Sequence, residues 1–206
     1  PGDLAGQRRV RIGIFGGTFD PPHVGHLIAA QDAYSALGLD RLLFVPAAVP
    51  PHKQGVVSTP AEARLEMLRA AVAGDPRFEV DDVELRRPGP SYTVDTLREL
   101  RRRDPSAALT LLMGVDQFRD LHTWREPLEI ARLAEVVVLT RAGVADVGTP
   151  LDIPYRLVPV TRVDLSATEI RRRVAAGEPI RYLVPAAVES IIVREGFYRS
   201  AAGAAR

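Results

Sequence analysis

The most distinctive polar residues lie in one short stretch, Gly16 to His26. It reads Gly-Gly-Thr-Phe-Asp-Pro-Pro-His-Val-Gly-His and directly follows an apolar run, Val10 to Phe15. His23 and His26 are three positions apart at a predicted helix start, so their imidazoles share one helix face. Backbone N–H groups and the helix dipole favour anions there, and Gly25 allows a ligand close to the backbone. This set of donors suits a polyphosphate better than a metal ion alone.

These glycines form neither of the two common phosphate-binding fingerprints. Gly13, Gly16 and Gly17 have the wrong spacing for G-x-G-x-x-G, and the chain has no Walker lysine loop. The two histidines could instead be a helix cap and a packed side chain, which is the usual role of a lone histidine. A His-x-Gly-His pair directly after a strand, two glycines and a threonine favours the functional interpretation.

Lysine is scarce, and its position is informative. Lys53 is the only lysine among 27 basic residues, and it follows Pro50, Pro51 and His52 after a predicted second strand. Such a loop lies at the same end of a parallel sheet as the first turn, where a lysine can reach a phosphate as a flexible point charge. The alternative is an ordinary solvated charge. The scarcity favours a contact with substrate for His52 and Lys53.

Four further residues follow other predicted strands or open a helix. Tyr92 and Thr93 stand at a predicted helix start and suit a carboxylate or phosphate group. Asp116 follows a predicted strand and can accept hydrogen bonds from a ribose. Trp124, the only tryptophan, can stack on a flat ring, although a lone tryptophan is equally often a core residue.

A second candidate phosphate site lies near the C-terminus. Ser166-Ala167-Thr168-Glu169 has the pattern of a capping box, and Arg171 follows one turn later. As a cap, the segment needs no ligand. As a binding site, it offers the Ser166 and Thr168 hydroxyls and the Arg171 guanidinium to a phosphate.

The elements that must position these residues alternate between strand and helix. Near-continuous apolar strands of this kind are typical of a parallel sheet covered on both faces, and ligands bind where the strand order reverses. We therefore predict an α/β fold, a Rossmann-like doubly wound parallel sheet with a small C-terminal helical part at 164–198. A single domain is expected at 8–200, with 1–7 and 201–206 disordered. The predicted strands are 10–15, 41–46, 78–85, 109–113, 136–140 and 156–160, and the predicted helices start near His23, at a Thr59–Glu62 capping box, after a Thr93 cap, at Ser166 and near Pro185.

The composition excludes several classes of function. The chain has 206 residues, 46% of them hydrophobic, with a formal net charge of +1 and no cysteine. The charge argues against bulk binding of nucleic acid, and the absent cysteines exclude disulfides and thiolate metal sites. No apolar run approaches the roughly 20 residues that span a bilayer. We expect a cytoplasmic protein without a membrane partner; a homo-oligomer is compatible with the sequence.

The ordered set of motifs resembles one family, the bacterial nicotinate-nucleotide adenylyltransferases of the nucleotidyltransferase superfamily. The resemblance runs from Arg9 to Tyr198 and departs only in detail, with Val115 in place of a small residue and Ala167 in place of a hydroxyl. Class I aminoacyl-tRNA synthetases share the His-x-Gly-His element, but the chain lacks their lysine-rich second loop and their size. The motifs that carry the resemblance are GGTFDPPHVGH, PPHK, SYTVDTL, GVD with Trp124, TRAG with Arg141, and SATEIR.

The resemblance implies transfer of AMP from ATP to the 5′-phosphate of nicotinate mononucleotide, which gives deamido-NAD and pyrophosphate in NAD biosynthesis. A phosphate nucleophile needs no general base, so catalysis would rest on alignment and on stabilising charge. Mg²⁺ would arrive bridging the ATP phosphates, with no metal site of the protein's own. The residues implied are His23, His26 and Lys53 for catalysis; Gly16, Gly17, Thr18, Phe19, His26, Asp116, Ser166, Thr168 and Arg171 for ATP; and His52, Lys53, Tyr92, Thr93, Trp124 and Arg141 for the pyridine nucleotide.

Three alternatives stay open at this point. A related transferase could act on another acceptor, such as phosphopantetheine or a cytidylyl acceptor. A nucleotide sensor on the same fold would need no catalysis, and a pyrophosphohydrolase would use water in place of the acceptor. The choice between acid and amide on the pyridine ring is also open.

Overall fold

The computed structural model describes residues 8–48, 59–140, 143–144, 146–148 and 151–200. His52, Lys53 and Arg141 lie outside these residues. Within them, six strands form one sheet in which every pair is parallel, in the order β3-β2-β1-β4-β5-β6. The strands are β1 Arg11–Gly17, β2 Arg41–Pro46, β3 Phe78–Val80, β4 Ala108–Gly114, β5 Glu135–Thr140 and β6 Tyr155–Pro159.

Helices connect the strands and cover both faces of the sheet. This arrangement confirms the predicted α/β fold with a Rossmann-like doubly wound sheet. In the described part of the chain, no helix has the length and apolar composition that crossing a membrane requires. The helices are α1 Val24–Leu37, α2 Ala61–Val72, α3 Thr93–Arg103, α4 Val115–Arg119, α5 Pro127–Leu133, α6 Ala167–Ala175 and α7 Ala186–Glu195, with a 3₁₀ turn at Leu121–Thr123.

The strand order reverses beside β1, and this reversal creates the crevice for a ligand. β1 pairs with β2 on one side, Phe15 opposite Phe44, and with β4 on the other, Ile14 opposite Leu111. The chain leaves the carboxyl ends of β1 and β4 toward opposite faces, so a gap opens between the two turns.

Successive side chains along each strand point to opposite faces of the sheet, so the core is divided into two layers. Ile12 and Ile14 pack with the α3 and α5 side, whereas Phe15 packs with α1 and α2 on the other face. A third cluster, which includes Met67 of α2, Ile170 of α6 and Val188 of α7, joins the C-terminal helices to α2. This layer carries the start of α6 to the carboxyl end of the sheet.

The predicted strand at 78–85 is wrong beyond Val80. The Asp81 side chain accepts a hydrogen bond from Val83 N at 3.0 Å, and the Asp82 carbonyl accepts one from Leu85 N at 2.9 Å. These local hydrogen bonds replace the hydrogen bonds that would continue the pairing of β3 with β2, and the chain turns away from the sheet.

Two predicted caps also differ. Pro60, not Thr59, is the N-cap of α2, and Tyr92, not Thr93, is the N-cap of α3, in both cases without a side-chain hydrogen bond. The Ser166 cap is confirmed, because its hydroxyl accepts Glu169 N at 3.1 Å.

Candidate active site

One cleft of about 1310 Å³ opens at the carboxyl ends of the strands. It is lined by every predicted site residue that the structure describes. The fold therefore brings these residues together in one cleft, whereas the chemical role of each one is a prediction. These residues are Gly16, Gly17, Thr18, Phe19, His23, His26, Tyr92, Thr93, Asp116, Trp124, Ser166, Thr168 and Arg171.

The two glycines after β1 serve different purposes. A Cβ built on Gly16 would meet no atom within 4 Å, so the backbone there is open. A Cβ on Gly17 would lie 2.9 Å from Cζ of Phe19. Gly17 therefore makes room for the Phe19 ring, which is 2% exposed, and only Gly16 leaves free space.

The histidine pair has a defined geometry. The ring centroids of His23 and His26 are 3.8 Å apart with planes tilted by 32°, which confirms that they share a face. The main-chain N–H of His23 donates to Nδ1 of His26 at 3.2 Å, and the Phe19 ring lies edge-on to His26 at 5.0 Å. Since Nδ1 accepts, a neutral His26 ring carries its proton on Nε2.

Burial determines the charge of His23 in the free protein. His23 is 6% exposed, and burial lowers its pKa to about 4. Near pH 7 its ring is neutral, and its buried Nδ1 has no hydrogen-bond partner among the described residues. A Cβ on Gly25 would lie 3.0 Å from that Nδ1. The absence of a side chain at Gly25 therefore accommodates the His23 ring, and Gly25 itself lines the cleft.

A buried arginine that the sequence analysis missed supports the first turn. Arg64 in α2 is 1% exposed and donates to the main-chain oxygens of Thr18 at 2.7 Å, Ala48 at 3.1 Å and Thr59 at 3.3 Å. Burial lowers the pKa of Arg64, and the negative charge of Asp20 opposes this effect. The available signal was the position of Arg64 on the apolar face of α2, one turn before Leu68.

Asp20, Arg171 and Tyr198 connect the two candidate phosphate sites. The Tyr198 hydroxyl donates to Oδ1 of the buried Asp20 at 2.7 Å, and Nη1 of Arg171 donates to the Asp20 carbonyl at 2.7 Å. Nη2 of Arg171 also donates to the Thr168 hydroxyl at 3.2 Å. Burial and the Asp20 carboxylate raise the pKa of Tyr198. Nothing in the sequence around Tyr198 indicated this contact.

The wall beside α3 contains a buried carboxyl group that the sequence analysis also missed. Glu84 is 8% exposed and accepts a 2.7 Å hydrogen bond from the Thr96 hydroxyl. Burial raises its pKa, against the lowering effect of hydrogen bonds from Thr96 and Ser91. In the same cleft lining, the Arg125 guanidinium lies 4.9 Å from the centre of the Tyr92 ring. This wall therefore presents both a cation and an aromatic surface to the cleft.

Asp116 and Trp124 lie beyond β4. The Asp116 side chain is 98% exposed at the start of α4, so it is accessible to a ligand. Trp124 is partly buried, packs against the core cluster and also lines the cleft. Trp124 is therefore both a contact of the core and part of the cleft wall; its stacking on a ligand ring stays a prediction.

Protein ligands for a metal ion are not clustered in the described part of the chain. None of its His, Asp and Glu side chains form a group of three or more that could hold an ion. The first turn and the start of α6 instead present N–H, hydroxyl and guanidinium donors.

Comparison with known proteins places the chain in a family. A model of the cytidylyltransferase-like family matches residues 14–173. A probable nicotinate-nucleotide adenylyltransferase of Thermus thermophilus is 52% identical over 190 residues, which cover 92% of this chain and 100% of the relative. One of Thermomicrobium roseum is 50% identical over 197 residues and 92% of both chains.

Solved structures agree on the fold. Plasmodium falciparum nicotinic acid mononucleotide adenylyltransferase complexed with NaAD superposes with a TM-score of 0.73 at 18% identity, over 91% of this chain and 97% of that one. A putative nicotinate-nucleotide adenylyltransferase of Vibrio parahaemolyticus superposes with a TM-score of 0.68 at 21% identity, over 92% of this chain and 96% of that one. The chain belongs to the cytidylyltransferase-like family and, within it, to the nicotinate-nucleotide adenylyltransferases.

Proposed function

We propose that the protein transfers AMP from ATP to nicotinate mononucleotide. The observation that carries the proposal is the convergence of two donor-rich helix starts, those of α1 and α6, on one cleft whose far wall holds Trp124. One end suits a triphosphate and the other a flat ring. The family relatives are named for this activity.

The reaction needs alignment more than proton transfer. An oxygen of the acceptor 5′-phosphate attacks the α-phosphorus of ATP, the bond from that phosphorus to the α–β bridging oxygen breaks, and pyrophosphate leaves with the bond electrons. The nucleophile is already anionic near pH 7, so no general base is required. Donors fixed in place before the reaction stabilise the charge that builds on the phosphates.

Different residues at the phosphate end of the cleft are proposed to stabilise different phosphate oxygens. The Nε2–H of His26 donates to a phosphate oxygen, while the neutral His23 ring holds His26 in place. An anion bound beside His23 would raise its pKa and add a charge only when the triphosphate is present. Thr18, Ser166, Thr168 and Arg171 bind the remaining phosphate oxygens. Lys53 is proposed to add a mobile positive charge.

The far wall is proposed to hold the acceptor. Trp124 stacks on the pyridine ring, and Tyr92 and Thr93 lie at the start of α3, where N–H groups favour an anion. His52 and Arg141 are proposed as further contacts with this nucleotide. Asp116, which is exposed at the cleft, accepts hydrogen bonds from the ATP ribose.

Mg²⁺ is proposed to enter with ATP. The donors lining the phosphate end suit the phosphate oxygens, and these oxygens together with water supply the hard ligands that Mg²⁺ prefers. The ion would neutralise charge on the β- and γ-phosphates as pyrophosphate departs.

A comparison of acceptors tests the function. Pyrophosphate release is measured with ATP and Mg²⁺ and with nicotinate mononucleotide, nicotinamide mononucleotide or phosphopantetheine. We expect the highest kcat/KM for the nicotinate compound. Turnover of phosphopantetheine alone would identify a related transferase. Hydrolysis of ATP without acceptor would identify a pyrophosphohydrolase, and binding without any release would identify a sensor.

A further inference from the structure

Arg64 satisfies three main-chain oxygens from three separate segments at once. Its Nη1 donates to Thr18 O at 2.7 Å, Nη2 to Ala48 O at 3.1 Å and Nε to Thr59 O at 3.3 Å. Thr18 belongs to the turn after β1, Ala48 follows β2, and Thr59 precedes α2. A planar guanidinium has donors pointing in these several directions, whereas an ammonium group donates from a single atom.

The bond to Thr18 has a directional consequence for the turn. In a planar trans peptide the C=O and the next N–H point in opposite directions. Because the Thr18 carbonyl points to the buried guanidinium, the N–H of Phe19 points away from Arg64. Thr18 and Phe19 both line the cleft. Arg64 therefore fixes the direction of the main-chain donor of Phe19, a residue that lines the cleft.

The turn would not hold this conformation by local preference. Phe19 has φ of 50°, in the left-handed region that a bulky side chain rarely adopts. Two contacts over-determine it: the Phe19 ring is buried against Gly17, and Arg64 holds the carbonyl that precedes it. The neighbouring Gly17 carbonyl is also bound, by Ala47 N at 2.9 Å.

Burying a guanidinium is costly unless its donors are satisfied, and the three main-chain oxygens satisfy them here. Arg64 is 1% exposed, yet it makes no ion pair shorter than 4 Å within the described residues. The negative charge of Asp20, the residue after Phe19, balances the charge of Arg64 at longer range. The positive charge thus lies directly behind the turn that faces the cleft.

We propose that Arg64 is a positioning residue for adenylyl transfer, which fixes the Thr18–Phe19 peptide so that the turn after β1 meets the triphosphate in its reactive geometry. This inference rests on the proposed function. Arg64 acts through the turn and does not itself touch the substrate. Its removal should therefore lower kcat more than it weakens binding of ATP.

The test uses Arg64→Lys and Arg64→Ala in the full chain. A misplacement of about 1 Å costs about 10²-fold in rate, so we expect Arg64→Lys to lower kcat by about that factor, with a smaller change in KM for ATP. Rates are normalised to the folded fraction, measured by circular dichroism and thermal unfolding. Guanidinium ion at a non-denaturing millimolar concentration should partly restore kcat of Arg64→Ala.

Arg69→Ala is the matched control, because Arg69 lies on the same helix but is exposed and bonds Asp82 at 3.3 Å. It should keep the wild-type kcat and not respond to guanidinium. The proposal is overturned if folded Arg64→Lys has a kcat within twofold of wild type. It is equally overturned if guanidinium ion raises the kcat of Arg64→Ala by no more than it raises the kcat of Arg69→Ala. If the Arg64→Ala variant does not fold, the kcat of folded Arg64→Lys alone tests the proposal. Inactive wild-type protein would contradict the proposed function instead.

Discussion

The guanidinium of Arg171 donates a 2.7 Å hydrogen bond to the main-chain oxygen of Asp20, across a separation of 151 positions in the chain. The same guanidinium donates to the Thr168 hydroxyl at 3.2 Å. Asp20 lies in the turn after β1 and Thr168 in the first turn of α6. One side chain therefore ties the two candidate phosphate sites together, so that both can contact one triphosphate.

Loss of Arg171 should weaken binding of ATP. Hydrogen bonds to charged groups contribute about 1.5–3 kcal/mol, so Arg171→Ala should raise KM for ATP by about 10- to 100-fold. Steady-state kinetics at saturating nicotinate mononucleotide measures this. Arg172→Ala is the control, because Arg172 lies next in α6 but binds Glu169 and Glu178 at the surface. Equal KM values for the two variants would refute the role of Arg171.

Loss of His26 should impair the chemical step. Its Nε2–H is a donor fixed in advance by the hydrogen bond from His23 N to Nδ1. Removing one such donor costs about 10²- to 10³-fold, so His26→Ala should lower kcat by that factor. His122→Ala serves as control, because His122 is exposed and lies outside the cleft lining. A folded His26→Ala protein with normal turnover would contradict the proposed role.

The buried state of His23 predicts how stability depends on pH. Its pKa is about 4 in the folded protein and about 6.5 when unfolded, so the unfolded chain binds a proton that the folded protein does not. This contribution is fully present above pH 6.5 and is lost as the pH falls toward 4. Between pH 7 and 5 it amounts to roughly 2 kcal/mol.

His23→Phe removes that titration and keeps an aromatic ring. Urea unfolding at pH 7 and pH 5 should show that the free energy of unfolding falls less for this variant than for wild type. The exposed His122→Ala variant should behave as wild type does. Identical losses in wild type and His23→Phe would show that His23 is not buried in its neutral form.

Trp124 should report on the acceptor nucleotide. It is the only tryptophan and lines the cleft, so nicotinate mononucleotide should quench the intrinsic fluorescence in a saturable way. Stacking of an aromatic side chain on a base contributes about 1–3 kcal/mol. Trp124→Ala should therefore raise KM for this substrate by about 5- to 100-fold, and Trp124→Phe by less. A change in KM for ATP alone would place the ring against the other nucleotide.

Local sequence was sufficient for most elements of the fold. The apolar run that ends in Pro46 predicted β2 with the same bounds, Arg41 to Pro46. Gly38 and Gly196 close α1 and α7 with φ of 57° and 68°, in the left-handed region where glycine is favoured. The error at 78–85 arose because Asp81 and Asp82 bind nearby backbone groups, and an alternating pattern does not reveal that competition.

The candidate site was predictable where chemistry and spacing coincide in one segment. His23 with His26, and Ser166 with Arg171, were found in this way. Arg64 and Tyr198 were not, because they bind Thr18 and Asp20 only when distant segments fold together. Glu84 was not, because its burial beside Thr96 depends on the packing of α3. The described residues therefore add a buried supporting layer beneath the residues that face the cleft.

The sequence by itself determined the alternation of strands and helices, the donors of the first turn and the second phosphate segment. Each depends on neighbours within a few positions, where side-chain size, glycine and capping hydroxyls act directly. Only the tertiary structure decided that the His23 ring is neutral, that Arg64 is buried behind Thr18 and that Arg171 reaches Asp20. Burial and desolvation arise from segments that are far apart in the chain, so their effect on charge and geometry exists only after those segments have packed together.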